Sequence, residues 1–315
     1  MPRAVKALYA ALVTALLAAS APAIIAAARD APHQAAPPAP TPPPTPRTPG
    51  VRGLDIGVPA YVWANDPMLT DLTATAPAPS VVVLNPGNGD SPFDGPWRAR
   101  ADALRARTTS TGEKTRVLGY VHTDHGNRDI AAAKTSVDNY LKTPDGRLHV
   151  DGIFFDVVSR DCGPANATRD YYAELRRYVQ DAMDAADPAA PDLVVNNPGT
   201  AIADCYLEPG HRTADIFVTF EDTYAAYTGA GWLGGNVFDH PSGYRSGAEL
   251  DPSGTAFWHL VHDVPDTEAM RATLRTAFDR GAGYAYATST VMPNPWNAGP
   301  AWKYRTQTTY AATLG

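Results

Sequence analysis

The sequence predicts an α/β fold, a single-domain (β/α)8 barrel of the TIM type, and three observations carry that expectation. Short apolar runs recur after residue 50, helical stretches separate several of them, and most of the runs end in a polar or acidic side chain. The runs cover 54–63, 80–86, 116–124, 152–158, 192–199, 215–222, 256–263 and 283–290, with helical stretches at 97–108, 130–141, 169–186 and 267–280. Runs as apolar as Gly152-Ile153-Phe154-Phe155 suit strands buried on both faces, and their alternation with helices gives βαβ units and a parallel sheet. About 260 residues follow the first fifty, close to the usual length of an eight-fold barrel. An open doubly wound sheet is the alternative architecture.

The first fifty residues have a different composition. Arg3 and Lys6 precede an Ala/Leu-rich run over 7–28, and Ala26-Ala27-Ala28 form a small-residue cleavage site before Arg29, so 1–28 reads as a secretory signal peptide. Thr14, Ser20 and Pro22 interrupt the run; an uncleaved anchor is the alternative. Residues 29–50 are too rich in proline to fold and form an extended spacer. The folded domain is therefore expected over 51–315, secreted and extracellular or associated with the cell wall, with no membrane contact after signal cleavage.

A net charge of −7 gives no basic footprint, so nucleic acid is not an expected partner. Cys162 and Cys205 are the two cysteines, and in an exported chain such a pair is expected as a disulfide between neighbouring loops. No P-loop, nucleophile elbow or H-E-x-x-H pattern occurs, and no cofactor is expected. His122 with His125, and His259 with His262, are spaced so that strand alternation turns each pair to opposite faces; no metal is expected.

In a β/α barrel, the C-terminal strand ends and their loops build the site. That rule gathers Asn85, His122, Asp124, Asp156, Asn196, Asn197, Glu221, Asp222, His262 and Asp263 on one face, although any one alone also suits a turn. Tyr61, Trp63, Tyr120, Tyr224, Trp232, Trp258, Tyr286 and Trp296 lie near strand ends or their loops, where aromatics serve either the core or sugar stacking. The glycine-rich stretch 228–243, carrying Trp232, suits a lip over a groove. Residue pattern alone gives a carboxylate-bearing barrel.

Several stretches together resemble the spherulin-4 family (spherulation-specific family 4): GYVHTDHGNRD (119–129), VDGIFFDVVS (150–159), NNPGT (196–200), FVTFEDTYAAY (217–227) and HLVHDVPD (259–266). The resemblance covers nearly all of the chain after residue 50. It implies a barrel glycoside hydrolase cleaving α-1,4-linked N-acetylgalactosamine or galactosamine-containing exopolysaccharide, so the implied partner is an amino-sugar polymer. It also places the family's acids on Asp156 and Glu221, which a two-carboxylate mechanism would use. Retention, with Asp156 as nucleophile and Glu221 as acid/base, is favoured by the resemblance and by glutamate's longer arm. Substrate contacts are expected from Tyr61, Asn85, Tyr120, His122, Asp124, Asn197, Asp222, Tyr224, His262 and Tyr286. The chain departs from the family at Val157, where members commonly carry Glu, and the alternative is a carbohydrate-binding or cell-surface barrel that has lost turnover. Strand alternation turns Val157 away from Asp156, so a Glu there would reach the site only from a loop-like backbone.

Secreted protein is expected to begin near Arg29. Intact-mass analysis checks this, and a secreted chain still carrying residues 1–28 would contradict it.

Overall fold

The computed structural model describes residues 53–208, 210–229 and 255–314. The signal segment, the proline-rich spacer and most of the glycine-rich stretch, Trp232 included, lie outside the described residues.

All eight apolar runs are strands of one closed parallel barrel, each paired with the next and the last returning to the first. They are β1 Asp55–Ala60, β2 Val81–Leu84, β3 Arg116–His122, β4 Gly152–Asp156, β5 Leu193–Asn197, β6 Ile216–Thr223, β7 Ala256–His262 and β8 Tyr284–Ala287. Most strands are shorter than their apolar runs, because the Asn, Pro, Asp and Thr residues that close the runs belong to the loops. The helices are α1 Pro67–Ala74, α2 Gly95–Arg105, α3 Ile130–Leu141, α4 Ala167–Ala186, α5 Tyr224–Thr228, α6 Thr267–Asp279 and α7 Tyr304–Ala311. Carboxylates start four of them: Asp66, Asp94, Asp129 and Asp266 accept the backbone N–H of Met68, Trp97, Ala132 and Ala269. Helices α1, α5 and α7 are too short to show a helical period, which is why the sequence did not display them.

Aromatic side chains from β3, β4 and β7 fill the barrel, consistent with the packed interior of this architecture. Phe154 of β4 stacks 6.3 Å from Tyr120 of β3 and meets Trp258 of β7 edge-on at 5.8 Å. Trp258 is fully buried and reaches across to β1, where a Cβ at Gly57 would collide with its ring. At the N-terminal floor, Asp151 is buried and satisfied by Arg105 at 3.0 Å and by the Val117 N–H at 2.8 Å. That carboxylate is structural.

One irregularity decides what the mouth contains. Ile216, Phe217 and Val218 of β6 pair with Ala256, Phe257 and Trp258 of β7, and the ladder then resumes at Phe220 with His259. Thr219 is an extra residue, a β-bulge. By unbroken alternation from Val218, which is in register with the lumenal Trp258, Asp222 would face inward and Glu221 outward. The bulge reverses this: Phe220 packs outward, 4.7 Å from the Tyr227 ring of α5, and Glu221 enters the barrel.

Gly57→Ala is expected to overpack the barrel beside Trp258 and cost about 1–3 kcal/mol. Thermal unfolding should show a fall of several degrees; an unchanged midpoint would contradict a lumen filled by Trp258.

Candidate active site

The ends of β4, β5 and β6 bring Asp156, Asn197 and Glu221 into contact. Asn197 Nδ2 donates to Asp156 Oδ1 and to Glu221 Oε2, each at 2.7 Å. An amide nitrogen has two hydrogens, so one is spent on each carboxylate. The two oxygens are therefore no farther apart than twice 2.7 Å. The amide is held in turn: Asn197 Oδ1 accepts the Gly199 N–H at 2.8 Å, and the Gly199 carbonyl accepts the Glu221 N–H at 2.9 Å. Gly199 has φ +66°, a backbone that suits glycine, and this turn ties the end of β5 to β6.

The second Glu221 oxygen is also taken. Trp296, in the loop between β8 and α7, donates Nε1–H to Oε1 at 2.9 Å. Its own backbone is fixed by Asn294 Oδ1, which accepts the Trp296 N–H at 3.1 Å, and by the Tyr61 N–H, which donates to the Trp296 carbonyl at 2.9 Å. Sequence reading grouped Trp296 with the aromatics for stacking or core. Nothing in the chain marks it as the partner of an acid 75 residues away.

Asn197 is the hydrogen-bond donor to the Asp156 carboxylate, and the Tyr120 hydroxyl, the Val157 N–H and His122 stand close enough to favour its charged form. Val157 is itself strained. Val157 has φ +54°, a conformation that a β-branched residue rarely adopts and that costs on the order of 1–3 kcal/mol. The surroundings impose it. The Val157 carbonyl accepts His125 N–H at 2.6 Å and Thr123 Oγ1–H at 3.0 Å, while the Asp156 carbonyl accepts Thr123 N–H at 3.0 Å. This corrects the reading of position 157 by strand alternation: the strand ends at Asp156, and the next residue already has a loop backbone.

Partial burial raises both carboxyl pKa values, because a charged form there loses part of its hydration. For Glu221, burial and then the charge of Asp156 push the value up to about 7, against the bonds from Asn197 and Trp296. For Asp156, burial again raises it, and the donors from Tyr120, Val157 and Asn197 together with His122 pull it back. Asp156 is therefore the member that ionises first. Burial and the Asp156 charge push the Tyr120 hydroxyl far above its usual range, so it stays a donor.

The other expected site residues divide. Tyr61 lies edge-on to Tyr120 at 5.1 Å, within the field of both acids. Asn85 lines a groove beside Tyr61. His262, at the end of β7, is buried, 6.1 Å from Trp296, with Nδ1 unbonded; burial lowers its pKa. Asp124 is exposed on the turn after β3, and Asp222 is exposed with its carboxylate accepting the Thr223 N–H, as the bulge dictates. Tyr224 begins α5 and packs on the core. Tyr286 corrects the expectation most clearly: it has no exposed surface and packs between Trp296 at 6.0 Å and Tyr304 at 6.4 Å, so it supports the loop instead of facing a ligand. His259 is a core histidine bonded to the Tyr227 hydroxyl at 2.8 Å, its pKa lowered to about 3 by burial. Among the described residues, no group of three or more His, Cys, Asp or Glu is placed to hold a metal ion. Cys162, after β4, and Cys205, after β5, are joined with Cα atoms 6.5 Å apart, tying the two loops that flank Asn197.

Comparison with known proteins agrees with this architecture. Among solved structures, Sph3 of Aspergillus clavatus in complex with GalNAc superposes with a TM-score of 0.61 at 23% identity, over 83% of this chain and 98% of that one. A citrate lyase from Burkholderia xenovorans (TM-score 0.43, 15% identity, 82% and 78% covered) and a broad-specificity endoglucanase from Clostridium acetobutylicum (TM-score 0.43, 9% identity, 82% and 97% covered) are more distant. A search of curated proteins gives no match. The sequence profile described as spherulation-specific family 4 matches residues 55–309, from the first barrel strand into the last helix, and the chain belongs to that family.

Proposed function

We propose that the protein is a retaining glycoside hydrolase acting on an amino-sugar polymer, an α-1,4-linked galactosamine or N-acetylgalactosamine chain. The observation that carries this reading is the shared amide of Asn197, which keeps one oxygen of each partly buried carboxyl group within twice 2.7 Å of the other, short of the roughly 6.5–9.5 Å of inverting enzymes and compatible with the about 5–5.5 Å of retaining ones. Family membership and the GalNAc bound to the Aspergillus protein support the sugar class.

Asp156, whose charge raises its partner, attacks the anomeric carbon as a carboxylate. Glu221, protonated up to about pH 7, gives its proton to the glycosidic oxygen as the bond to the leaving sugar breaks. The resulting Glu221 carboxylate then takes a proton from water, whose oxygen attacks the anomeric carbon and releases Asp156. Asn197 and Trp296 keep Glu221 aimed through both steps, and Tyr120 stabilises the returning Asp156 charge. Export fits the same reading, since a polymer substrate is met outside the cell and the Cys162–Cys205 bridge persists there.

A binding barrel without turnover is favoured by one observation, Val157 in place of the family acid. Val157→Glu separates the two: a large gain in rate would assign chemistry to that position, and no change would leave the pair Asp156 and Glu221 sufficient.

Asp156→Asn and Glu221→Gln are each expected to lower kcat by at least about 10²–10⁴-fold in a reducing-end assay on acetylated and deacetylated polymers, with folding intact. Full activity in either variant would contradict the pair. Activity should also fall as pH rises through about 7, where Glu221 loses its proton. Stability runs in the same direction. A carboxyl group with a raised folded pKa stabilises most below its unfolded value, and that contribution disappears as pH rises through the folded one. Wild-type stability should thus decline between about pH 4.5 and 7, and Glu221→Gln should flatten the decline.

A further inference from the structure

We infer that the groove beside the carboxylate pair, at the ends of β1 and β2, is a subsite for a neutral sugar unit of the same polymer, with Trp63 as its stacking platform. The inference rests on the reading of Asp156 and Glu221 as the bond-cleaving pair.

Trp63 is 75% exposed, whereas the four other described tryptophans are each 9% or less. An indole left in water is a cost that a stacking partner removes, and the C–H face of a pyranose fits the negative face of an aromatic ring. The ring borders a groove of about 490 Å³, within the range of small-molecule sites. Tyr61 lines the same groove and also lies edge-on to Tyr120 beside Asp156, so one residue links the groove to the neighbourhood of the pair.

The polar lining is amide. Asn85, Asn88, Asn294 and Asn297 all face the groove. Two of their carbonyls are committed: Asn85 Oδ1 accepts the Asn88 N–H at 2.8 Å, and Asn294 Oδ1 accepts the Trp296 N–H. Their amide nitrogens remain as oriented donors for hydroxyl and acetamido oxygens; that of Asn85 reaches only Asn88 Oδ1, at 3.5 Å. Among the described residues, no Lys or Arg lines the groove, and its amide lining suits a neutral chain better than a sulfated, phosphorylated or uronic-acid one. The carboxylate present, Asp66, is engaged at the start of α1 by the Met68 N–H at 2.8 Å. Asn294 and Trp296 belong to one loop, so a sugar seated on Asn294 bears on the segment that aims Glu221.

The test uses Trp63→Ala and Trp63→Phe with short and long α-1,4-linked N-acetylgalactosamine oligomers, measuring kcat/KM and, in the Glu221→Gln background, calorimetric affinity. The long-to-short ratio of kcat/KM should fall about tenfold in Trp63→Ala, the order of one aromatic contact, and recover largely in Trp63→Phe. Affinity for long oligomers should fall in parallel. If wild type turns over but both variants keep its length dependence, the subsite is wrong and the catalytic reading stands. If wild type cleaves nothing yet Trp63→Ala weakens binding, the catalytic reading fails and the subsite stands. Unchanged affinity in Trp63→Ala overturns the subsite in either case.

Discussion

Two carboxyl groups in a partly buried barrel mouth repel each other whenever both are ionised, and one amide nitrogen makes their proximity tolerable. Asn197 gives one hydrogen to Asp156 and one to Glu221, and the remaining geometry serves to keep it there. The Gly199 N–H fixes its carbonyl, β4 and β5 set its register opposite Asp156, and the Cys162–Cys205 bridge joins the loops that leave both strands. The arrangement also makes the acids unequal. The charge of Asp156 adds to burial in raising Glu221, so the proton of the pair resides on Glu221 until about pH 7.

Both acids depend on departures from regular strand geometry. Thr219 shifts the alternation of β6 by one and turns Glu221 inward in place of Asp222. Val157 takes a left-handed backbone directly after Asp156, held by Thr123 and His125 of the neighbouring turn. A barrel of unbroken strands would have presented Asp222 in place of Glu221. Strain and bulge coincide here with the site, a pattern expected where a protein gives up local stability to position a group.

The eight strands and their order were legible because parallel strands buried on both faces make continuous apolar runs between helices. Asp156 was legible for the same reason: it is the first charge after Ile153-Phe154-Phe155. Glu221 was not separable from Asp222 by period, since Val218-Thr219-Phe220 gives no sign of which residue is extra; the family resemblance supplied the choice. Trp296 reaches Glu221 from a loop without periodicity, so only the fold shows the contact. Tyr286 shows the opposite error, because a strand-end position says nothing of whether a later loop packs over it.

If Asn197 holds the pair at nucleophilic spacing, the configuration of the newly released sugar is the direct readout. Proton NMR of an α-linked N-acetylgalactosamine oligomer, followed from the first turnovers, should show the α-anomer of the new reducing end appearing before mutarotation. First appearance of the β-anomer would mean a water enters between Asp156 and Glu221 and would contradict the account.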